Sequence, residues 1–555
     1  SLESEHDAVT EAAVVLLGRA ARYLPADSAH VRRIVERLLS ALRTPSELVQ
    51  EAVASCLPAL VRASAAAKDV PSIVDRLFVD LLHGDKYATR RGAAYGLAGV
   101  VKGRGVSAIR ELRILARLSE AAHDTSTTTT RQGALFAYEL LASTLHVLLE
   151  PYVDGILADL LLCFGDTHAD VREATQDAAR VLMRSLSGQC LKLILPSLLD
   201  GLDEKQWRTK KGAVELLGAM AFCAPRQLSA ALPTIIPRLS EVLTDSHRQV
   251  SAAANQSLKQ FGEVIHNPEI HALVPSILKA LVDPNAKTAL ALKGLLRTKF
   301  VHYIDAPSLA LIAPIIERGL RERTVLLQKQ AAQIVGHLAS LTDARDYVPY
   351  LAKLTPLVRV VLVSPVPDAR GVAAKALGTL VERLGEVHFV DLVPSLLQVL
   401  RTDATGVDRH GAAQGLAEVL AGLGMERMER LLPTIIENTQ DSTPYVREGH
   451  LALLIYLPAT FGARFLPHLQ RIVPPIVASM ADDIESVREA SLRAGRMLIT
   501  NYTQRSVDLL LPQLEPRLFD TRHRVRLSAL QLTADMLFRV SGISGKACLL
   551  YTSDA

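Results

Sequence analysis

Residues 192–222 read KLILPSLLDGLDEKQWRTKKGAVELLGAMAF, a pattern of two amphipathic helices joined by a short polar turn. Pro196 falls in the opening turn of the first helix, where its missing N–H costs nothing because the first N–H groups of a helix lack intrahelical partners. Asp203 ends this helix and is placed to cap the next one. The apolar positions are Leu195, Leu198, Leu199 and Leu202 in the first helix and Ala213, Leu216, Leu217 and Met220 in the second. The stretch therefore predicts one helical hairpin.

This hairpin pattern returns about every 40 residues along the chain. Fourteen residues share one phase, in steps of 37 to 41, and twelve of them are followed two positions later by Ala, Gly or Ser. The residues that mark the phase are Thr10, Gln50, Arg91, Gln132, Arg172, Lys211, Ser251, Leu290, Lys329, Arg370, His410, Arg447, Arg488 and Arg526. Such a period with helical texture is typical of HEAT and armadillo repeats, in which each unit stacks only on its neighbours. We therefore predict an all-α, HEAT/ARM-type α-solenoid superhelix of about fourteen two-helix repeats.

Within each repeat, a Pro in the first helix, an Asp after it and a Val-Arg pair opening the second helix favour the HEAT variety. The Val-Arg pairs are Val171-Arg172, Val446-Arg447, Val487-Arg488 and Val525-Arg526. The recurring Arg and Asp have two interpretations. They form either a stripe that binds a partner or an internal ladder, in which each Arg bridges to the Asp of its own or the adjacent repeat.

The composition agrees with close-packed helices and narrows the class of ligand. Hydrophobic residues make up 49% of the chain and aromatic residues 4%, which disfavours both sheets and the stacking platforms that single-stranded nucleic acid requires. The net charge of +4 is compatible with an acidic partner without requiring one. The five cysteines are scattered without CxxC or metal spacing, so we expect buried thiols in a reducing compartment: Cys56, Cys163, Cys190, Cys223 and Cys548.

Motifs for catalysis, cofactors and membranes are missing from the pattern. The run Gly542–Lys546 has the wrong spacing for a phosphate-binding loop, and Gly103-Arg-Gly105 lacks the third glycine of a dinucleotide motif. There is no GxSxG or HExxH motif, and the longest apolar run contains Pro458 and Arg464. We expect no enzymatic activity, no cofactor, no metal site and no contact with a membrane.

Neither end of the chain looks native. The first residue is Ser1 and lies already inside a repeat, while residues 548–555 (CLLYTSDA) match the in-frame translation of a common sequencing adapter. We expect an internal fragment of a longer protein with three segments. These are N-terminal HEAT repeats over 1–83, a central array over 84–547, and a non-native tail over 548–555.

Three clusters of basic residues exceed the background of the repeat. They are Arg90 and Arg91; Trp207, Arg208, Lys210 and Lys211; and Arg522, Arg524 and Arg526. Each falls at the turn between paired helices, where Lys and Arg together with backbone N–H groups at a helix N-terminus are able to hold phosphate groups. We predict these nine residues as a surface that binds nucleic acid or another partner; solvated helix ends and the internal Asp/Arg ladder are the alternatives.

Several long stretches resemble one known family. They are DKYATRRGAAYGLAG (85–99), WRTKKGAVELLGAMAFCAP (207–225), TKFVHYIDAPSLAL (298–311), VDRHGAAQGLAEV (407–419) and LLLPQLEPRLFD (509–520). These stretches resemble the central array of the HEAT-repeat translational activators of general amino-acid control, the family of general control non-derepressible protein one. The resemblance spans about 84–546, and that region of the family is also similar to the HEAT domain of fungal elongation factor three.

The resemblance implies a function that periodicity alone does not. The family is a non-catalytic scaffold, cytoplasmic and ribosome-associated, that helps to activate the starvation-responsive kinase of initiation factor two. Its implied partners are the ribosome, through rRNA and ribosomal proteins, and an ABC-family protein; the kinase binds through segments outside this fragment. One departure is the run Thr125-Ser-Thr-Thr-Thr-Thr130, where the family tends to be basic, so a phosphate-binding role for that loop is not expected.

Two other functions remain open at this point. The chain is alternatively the HEAT portion of an elongation-factor-three-like ABC ATPase, although more than 500 residues without a Walker motif disfavour this. A generic HEAT scaffold for nuclear transport or for a phosphatase is the third possibility, and it requires an acidic or hydrophobic cargo groove.

Overall fold

The computed structural model describes residues 7–20, 23, 29–62 and 64–541, except for the side chains of 29, 64–68, 504–506, 540 and 541. The chain divides into two compact units, Ser1–His266 and Asn267–Ala555. The predicted tail over 548–555 and the run Gly542–Lys546 lie outside the described residues.

Unit one is built from helix pairs that follow the predicted period. Its helices are α1 (Asp7–Ala20), α2 (Ala29–Ala41), α3 (Glu47–Arg62), α4 (Ser64–His83), α5 (Tyr87–Arg104), α6 (Ser107–Glu111), α7 (Ile114–Ala122), α8 (Thr128–Leu145), α9 (Val153–Phe164), α10 (Ala169–Ser185), α11 (Gly188–Asp200), α12 (Trp207–Cys223), α13 (Pro225–Val242) and α14 (Arg248–Gly262). The helices that carry the repeating phase pack on one another in order, from α1 on α3 to α12 on α14.

Unit two has the same organisation. Its helices are α15 (Pro268–Val282), α16 (Pro284–Arg297), α17 (Ala306–Arg321), α18 (Val325–Leu341), α19 (Ala344–Leu362), α20 (Pro367–Leu384), α21 (Leu392–Leu400), α22 (Gly406–Leu423), α23 (Met425–Asn438), α24 (Pro444–Phe461), α25 (Leu469–Ser479), α26 (Glu485–Leu514) and α27 (His523–Ser541). Over the described residues the sole β pairing is an isolated bridge between Ile304 and Thr342. The predicted all-α repeat architecture is confirmed.

One element differs from the predicted pairing. The period predicts that a second helix ends and a new first helix begins between about 500 and 507, but α26 runs unbroken over 30 residues. The sequence Asn-Tyr-Thr-Gln-Arg-Ser at 501–506 contains neither Gly nor Pro, so no residue there forces the helix to stop. Pro512 comes later, in the last turn of this helix.

The small residues of the repeat lie where neighbouring helices approach most closely. Ala134, Ala213 and Ala331 are completely buried at the position two residues after the phase marker. A glycine one residue earlier permits a still closer contact: a Cβ on Gly411 would lie 2.2 Å from the carbonyl oxygen of Leu362, at the end of α19. The repeat therefore stacks backbone against backbone at these points.

The cysteines have no disulfide partner among the described residues. Cys56, Cys163 and Cys190 are buried and Cys223 is half-buried, while Cys548 lies outside the described part of the chain. Burial raises the pKa of the Cys163 thiol to about 12, and this thiol is therefore protonated and unreactive at neutral pH. The expectation of buried thiols holds for these three.

Candidate nucleic-acid interface

The repeating arginine closes the turn that precedes its own helix. In α24 the Nη1 of Arg447 donates to the carbonyl oxygens of Asp441, at 2.8 Å, and Ser442, at 3.1 Å, six and five residues upstream. The same two donations recur at Arg90, Arg172, Arg370, Arg488 and Arg526. Each of these six guanidinium groups therefore uses part of its hydrogen-bonding capacity inside the fold.

The repeating aspartate connects successive repeats. The Nε and Nη2 of Arg447 donate to the carboxylate of Asp482, 35 residues later, at 2.8 and 3.0 Å. Equivalent 35-residue connections join Arg131 to Asp166, at 2.6 Å, and Lys210 to Asp245, at 2.9 Å. The internal Asp/Arg ladder is thus present for these pairs. The cations in it are bound to aspartates of the fold, although the sequence pattern also allowed them to bind a partner.

The same aspartates also organise the turns before the second helices. The carboxylate of Asp482 accepts the N–H of Ile484 at 3.0 Å, and those of Asp166 and Asp245 accept the N–H two residues further on at 2.8 Å. Asp203 departs from this pattern, since its carboxylate accepts a hydrogen bond from Arg238 at 2.5 Å. The N-cap residue of α12 is Gln206, and no side-chain hydrogen bond caps this helix. The expectation that Asp203 caps the next helix is therefore wrong, because the Arg of the following repeat claims its carboxylate.

The hydrogen bonds and ion pairs to the aspartates make the stability of the fold depend on pH in acid. The side chain and the N–H of Arg522 donate to Asp520 and lower the pKa of its carboxyl group to about 2. Burial raises the pKa of Asp482, but the hydrogen bonds from Arg447 and from the N–H of Ile484 outweigh it, and the pKa of Asp482 is therefore also lowered. An aspartate in an unfolded chain titrates near ~3.9. A folded pKa below that value stabilises the fold above about pH 4, and this stability is lost as the pH falls towards 2.

We accordingly expect the thermal unfolding midpoint to fall most steeply between about pH 4 and pH 2. The measurement is a series of thermal melts at constant ionic strength, with Asp482→Asn as the comparison. This variant has one fewer depressed carboxyl to protonate, and its midpoint is expected to start lower and to fall less over that range. An unfolding midpoint that does not change below pH 4 would contradict a stabilising role for these ionised aspartates.

Arg90 and Arg91, in the first turns of α5, are taken up by contacts within unit one. Arg90 is buried, its Nη2 donates to Gln132 at 2.7 Å, and burial lowers its pKa. Arg91 forms a short ion pair with Glu139 and a second pair with Glu47 at 3.3 Å, and its side chain is 14% exposed. Both guanidinium groups are engaged by residues of unit one. In this cluster the contacts inside the fold, as in the Asp/Arg ladder, therefore account for both residues.

The Trp207 cluster lies at the start of α12 and faces a cleft. The indole stacks on the imidazole of His247 with ring centroids 3.9 Å apart, and the guanidinium carbon of Arg208 lies 4.8 Å from the indole centroid. Lys211 is paired with Glu215 at 3.2 Å. Arg208 forms no ion pair within the described part of the chain, so it offers the least committed cation of the cluster.

The cleft beside this cluster has a volume of about 340 Å³ and is lined by three successive second helices, α10, α12 and α14, and by Phe164 at the end of α9. Arg172 from α10 contributes a third cation to it, next to Arg208 and Lys211. The sequence pattern placed Arg172 in the repeating phase but did not join it to the Trp207 cluster, because the period does not tell which members of a column share a groove.

The third cluster, at the start of α27, is the most exposed. Arg522 pairs with Asp520 at 3.2 Å, and Arg526 donates to the carbonyl oxygens of Asp520 and Thr521. Arg524 is exposed and pairs with no described residue. The predicted residues thus fall into three groups: internal (Arg90, Arg91 and Lys210), partly committed (Trp207, Lys211, Arg522 and Arg526), and available (Arg208 and Arg524).

Two further features of the described residues bear on the function. Across the described residues, no group of three or more His, Cys, Asp or Glu side chains is placed to hold a metal ion. One segment, Pro444–Ser479, is apolar enough by length and composition to cross a membrane, but 61% of its most apolar window is buried inside the fold, as in a core helix.

Paired helices that repeat about every 40 residues, joined by Arg and Asp side chains and bearing cations at the turns, define a HEAT-type repeat protein. The chain belongs to the EF3 N-terminal HEAT repeat family, whose model matches residues 90–258 and 409–540. A second model, the Elongation factor 3/GNC1 HEAT repeat, matches residues 286–391.

Similarity to curated proteins extends over nearly the full chain. It is 50% identical over 546 residues to "Stalled ribosome sensor GCN1" of Homo sapiens and 45% identical over 544 residues to "eIF-2-alpha kinase activator GCN1" of Saccharomyces cerevisiae, covering 98% of this chain and 20% of the relative in each case. "Elongation factor 3" of Gonapodya prolifera is 32% identical over 270 residues, 48% of this chain and 25% of the relative. The chain thus spans about a fifth of the length of the GCN1 relatives, and the resemblance predicted from the sequence is confirmed.

Proposed function

We propose that this chain is part of a non-catalytic, ribosome-binding scaffold that helps to activate the kinase of initiation factor two. The observation that carries the proposal is the 98% coverage by relatives whose names are stalled ribosome sensor and eIF-2-alpha kinase activator. A repeat fold, in which each unit stacks only on its neighbours and the array presents an extended surface, agrees with a scaffold. The protein then acts in the cytoplasm, on ribosomes.

The partners follow from the same reasoning. The ribosome is the direct partner, through rRNA and ribosomal proteins. An ABC-family protein is a second partner of the assembled scaffold, and the kinase binds through segments outside this stretch.

Within the chain, we assign the rRNA contact to the cleft of Arg172, Arg208 and Lys211 and to the exposed turn of Arg522, Arg524 and Arg526. Both surfaces combine cations with the N-terminus of a second helix, whose first backbone N–H groups lack intrahelical partners, and this combination suits phosphate groups. Arg90 and Arg91 keep a supporting role, since their guanidinium groups hold the turn and the neighbouring helices. The His247 ring already stacks on Trp207, so this surface grips the RNA backbone more than it stacks bases.

The alternative function, the HEAT portion of an elongation-factor-three-like ABC ATPase, has weaker support. The elongation factor relative covers 48% of the chain at 32% identity, against 98% at 50% for the stalled ribosome sensor. No specific observation favours a nuclear-transport or phosphatase scaffold.

The test is co-sedimentation of the chain with purified ribosomes and with collided ribosome pairs over a series of salt concentrations. We expect Arg208→Ala/Lys211→Ala to weaken binding and to reduce the slope of log affinity against log salt by about 2, because each removed cation no longer neutralises one phosphate. Lys192→Ala/Arg226→Ala is the matched control, because it removes two exposed cations from the first helices α11 and α13 of the same unit.

Two results would count against the proposal. Equal weakening by both double variants would mean that net charge alone drives the binding. Absence of co-sedimentation at low salt by the unmodified chain would remove the assignment of ribosome binding to this stretch.

A further inference from the structure

The segment between α16 and α17 exposes apolar side chains far more than the rest of its repeat. Val301 is 82% exposed and Tyr303 is 79% exposed, with His302 exposed between them. We call residues 299–303 the prong. Single exposed apolar residues are common, but two on one loop with an aromatic ring among them have the composition of an interface anchor.

The prong is held in place from below by hydrogen bonds. One carboxylate oxygen of Glu269 accepts the N–H of Val301 at 3.2 Å and the Nδ1–H of His302 at 2.8 Å. The side-chain amide of Asn267 donates to the carbonyl oxygen of Tyr303 at 3.0 Å. Because the loop is already ordered, little conformational entropy remains to be lost when it binds.

The next residue anchors the prong to the following helix pair. The N–H of Ile304 donates to the carbonyl oxygen of Leu341 at 2.8 Å, and Ile304 forms the isolated bridge with Thr342. Ile304 itself is buried, at 1% exposure. The apolar residues at 301 and 303 therefore project outward while the residue directly after them is fixed in the core.

Three carboxylates lie close together beside the prong. The bridge between Ile304 and Thr342 places Asp305 beside Asp343. Burial raises the pKa of the nearby Asp346, and the carboxylates of Asp343 and Asp305 raise it further. Lys299 is the cation within the prong itself. Clustered carboxylates repel the phosphates of RNA and attract basic side chains, so the charge favours a basic protein surface as the occupant.

We infer that the prong inserts Val301 and Tyr303 into an apolar cleft on a ribosomal protein, with Asp305 and Asp343 facing basic side chains at the edge of that cleft. This inference rests on the proposed function and adds to it a protein contact, separate from the phosphate contacts of the Arg208 cleft. It also gives a role to the stretch TKFVHYIDAP, which the rRNA contact does not use.

Affinity for purified ribosomes tests the inference first. Val301→Ser/Tyr303→Ser is expected to weaken co-sedimentation by about tenfold, the effect of removing an aromatic anchor, while the salt dependence keeps its slope because every cation that faces a phosphate is still present. Val387→Ser is the matched control. Val387 is also 82% exposed, on the segment between α20 and α21, and its replacement is expected to change affinity by less than about twofold.

Cross-linking identifies the occupant. A photoreactive benzoylphenylalanine placed at 301 and irradiated on purified ribosomes is expected to yield an adduct with a ribosomal protein. An adduct with rRNA alone, or unchanged affinity of the double serine variant while the unmodified chain binds, would overturn the inference and leave the proposed function standing. If the unmodified chain does not bind ribosomes, both fall together.

Discussion

Replacing Arg131 with alanine is expected to lower the free energy of unfolding by about 3–5 kcal/mol, the cost of breaking a buried ion pair from one side. The side chains of Arg131 and Asp166 are 8% and 9% exposed, and their closest atoms are 2.6 Å apart. The same guanidinium donates to the carbonyl oxygens of Asp124, at 2.6 Å, and Thr127, at 3.1 Å. Its removal deprives the buried Asp166 carboxylate of its ion-pair partner, although the N–H of His168 still donates to it, and takes one donor from each of the two carbonyl groups.

The measurement is urea unfolding of the chain, together with amide hydrogen exchange of α8 and α10, because a repeat protein opens locally before it unfolds globally. The control is Arg180→Ala. Arg180 pairs with Asp177 at 2.9 Å, but both side chains are about half exposed, so its removal is expected to cost no more than ~0.5 kcal/mol. Similar destabilisation by the two variants would mean that the ladder is a surface feature without structural weight.

Gly411→Ala is expected to destabilise unit two by about 3 kcal/mol or more, because the added methyl group has no free space. Its Cβ would lie 2.2 Å from the carbonyl oxygen and 3.1 Å from the carbonyl carbon of Leu362. The atoms in the way belong to the backbone at the end of α19, so α22 has to move away from the preceding repeat. Faster hydrogen exchange in α20, α22 and α24 would report that movement.

Gly294→Ala is the matched control for this change. Gly294 also lies inside a helix of unit two, but a Cβ there would meet only a Leu273 side-chain carbon at 3.4 Å, an ordinary contact. Alanine is the better helix former by about 1 kcal/mol, so this variant is expected to be as stable as the unmodified chain or slightly more stable. Destabilisation at position 294 equal to that at 411 would exclude close backbone contact as the cause.

The sequence predicts where the cations of the candidate interface lie, but not which of them are free to bind a partner. Trp207 and Arg522 stand at the turns before second helices, as the pattern indicates, because a turn and a helix start are written in neighbouring residues. Whether a cation is available depends on partners about 35 to 48 residues away. Arg91 is held by Glu139 and Lys210 by Asp245, whereas Arg208 keeps an uncommitted charge.

By itself, the sequence determined the helical hairpin, its period of about 40 residues and the number of repeats. Helix formation and the apolar face follow from residues three and four apart, so they are legible in any short window such as 192–222. The family could be read as well, because long stretches of specific residues carry that resemblance.

Only the tertiary structure decided how the hairpins use their side chains. It joined Arg131 to Asp166, brought Gly411 against the backbone of Leu362, and left Val301 and Tyr303 outside the core. Each of these depends on how one repeat seats on the next, a distance of 30 residues or more along the chain. The physical reason is that stacking is set by the sum of many contacts between helices, whereas the hairpin is set within a few turns of its own sequence.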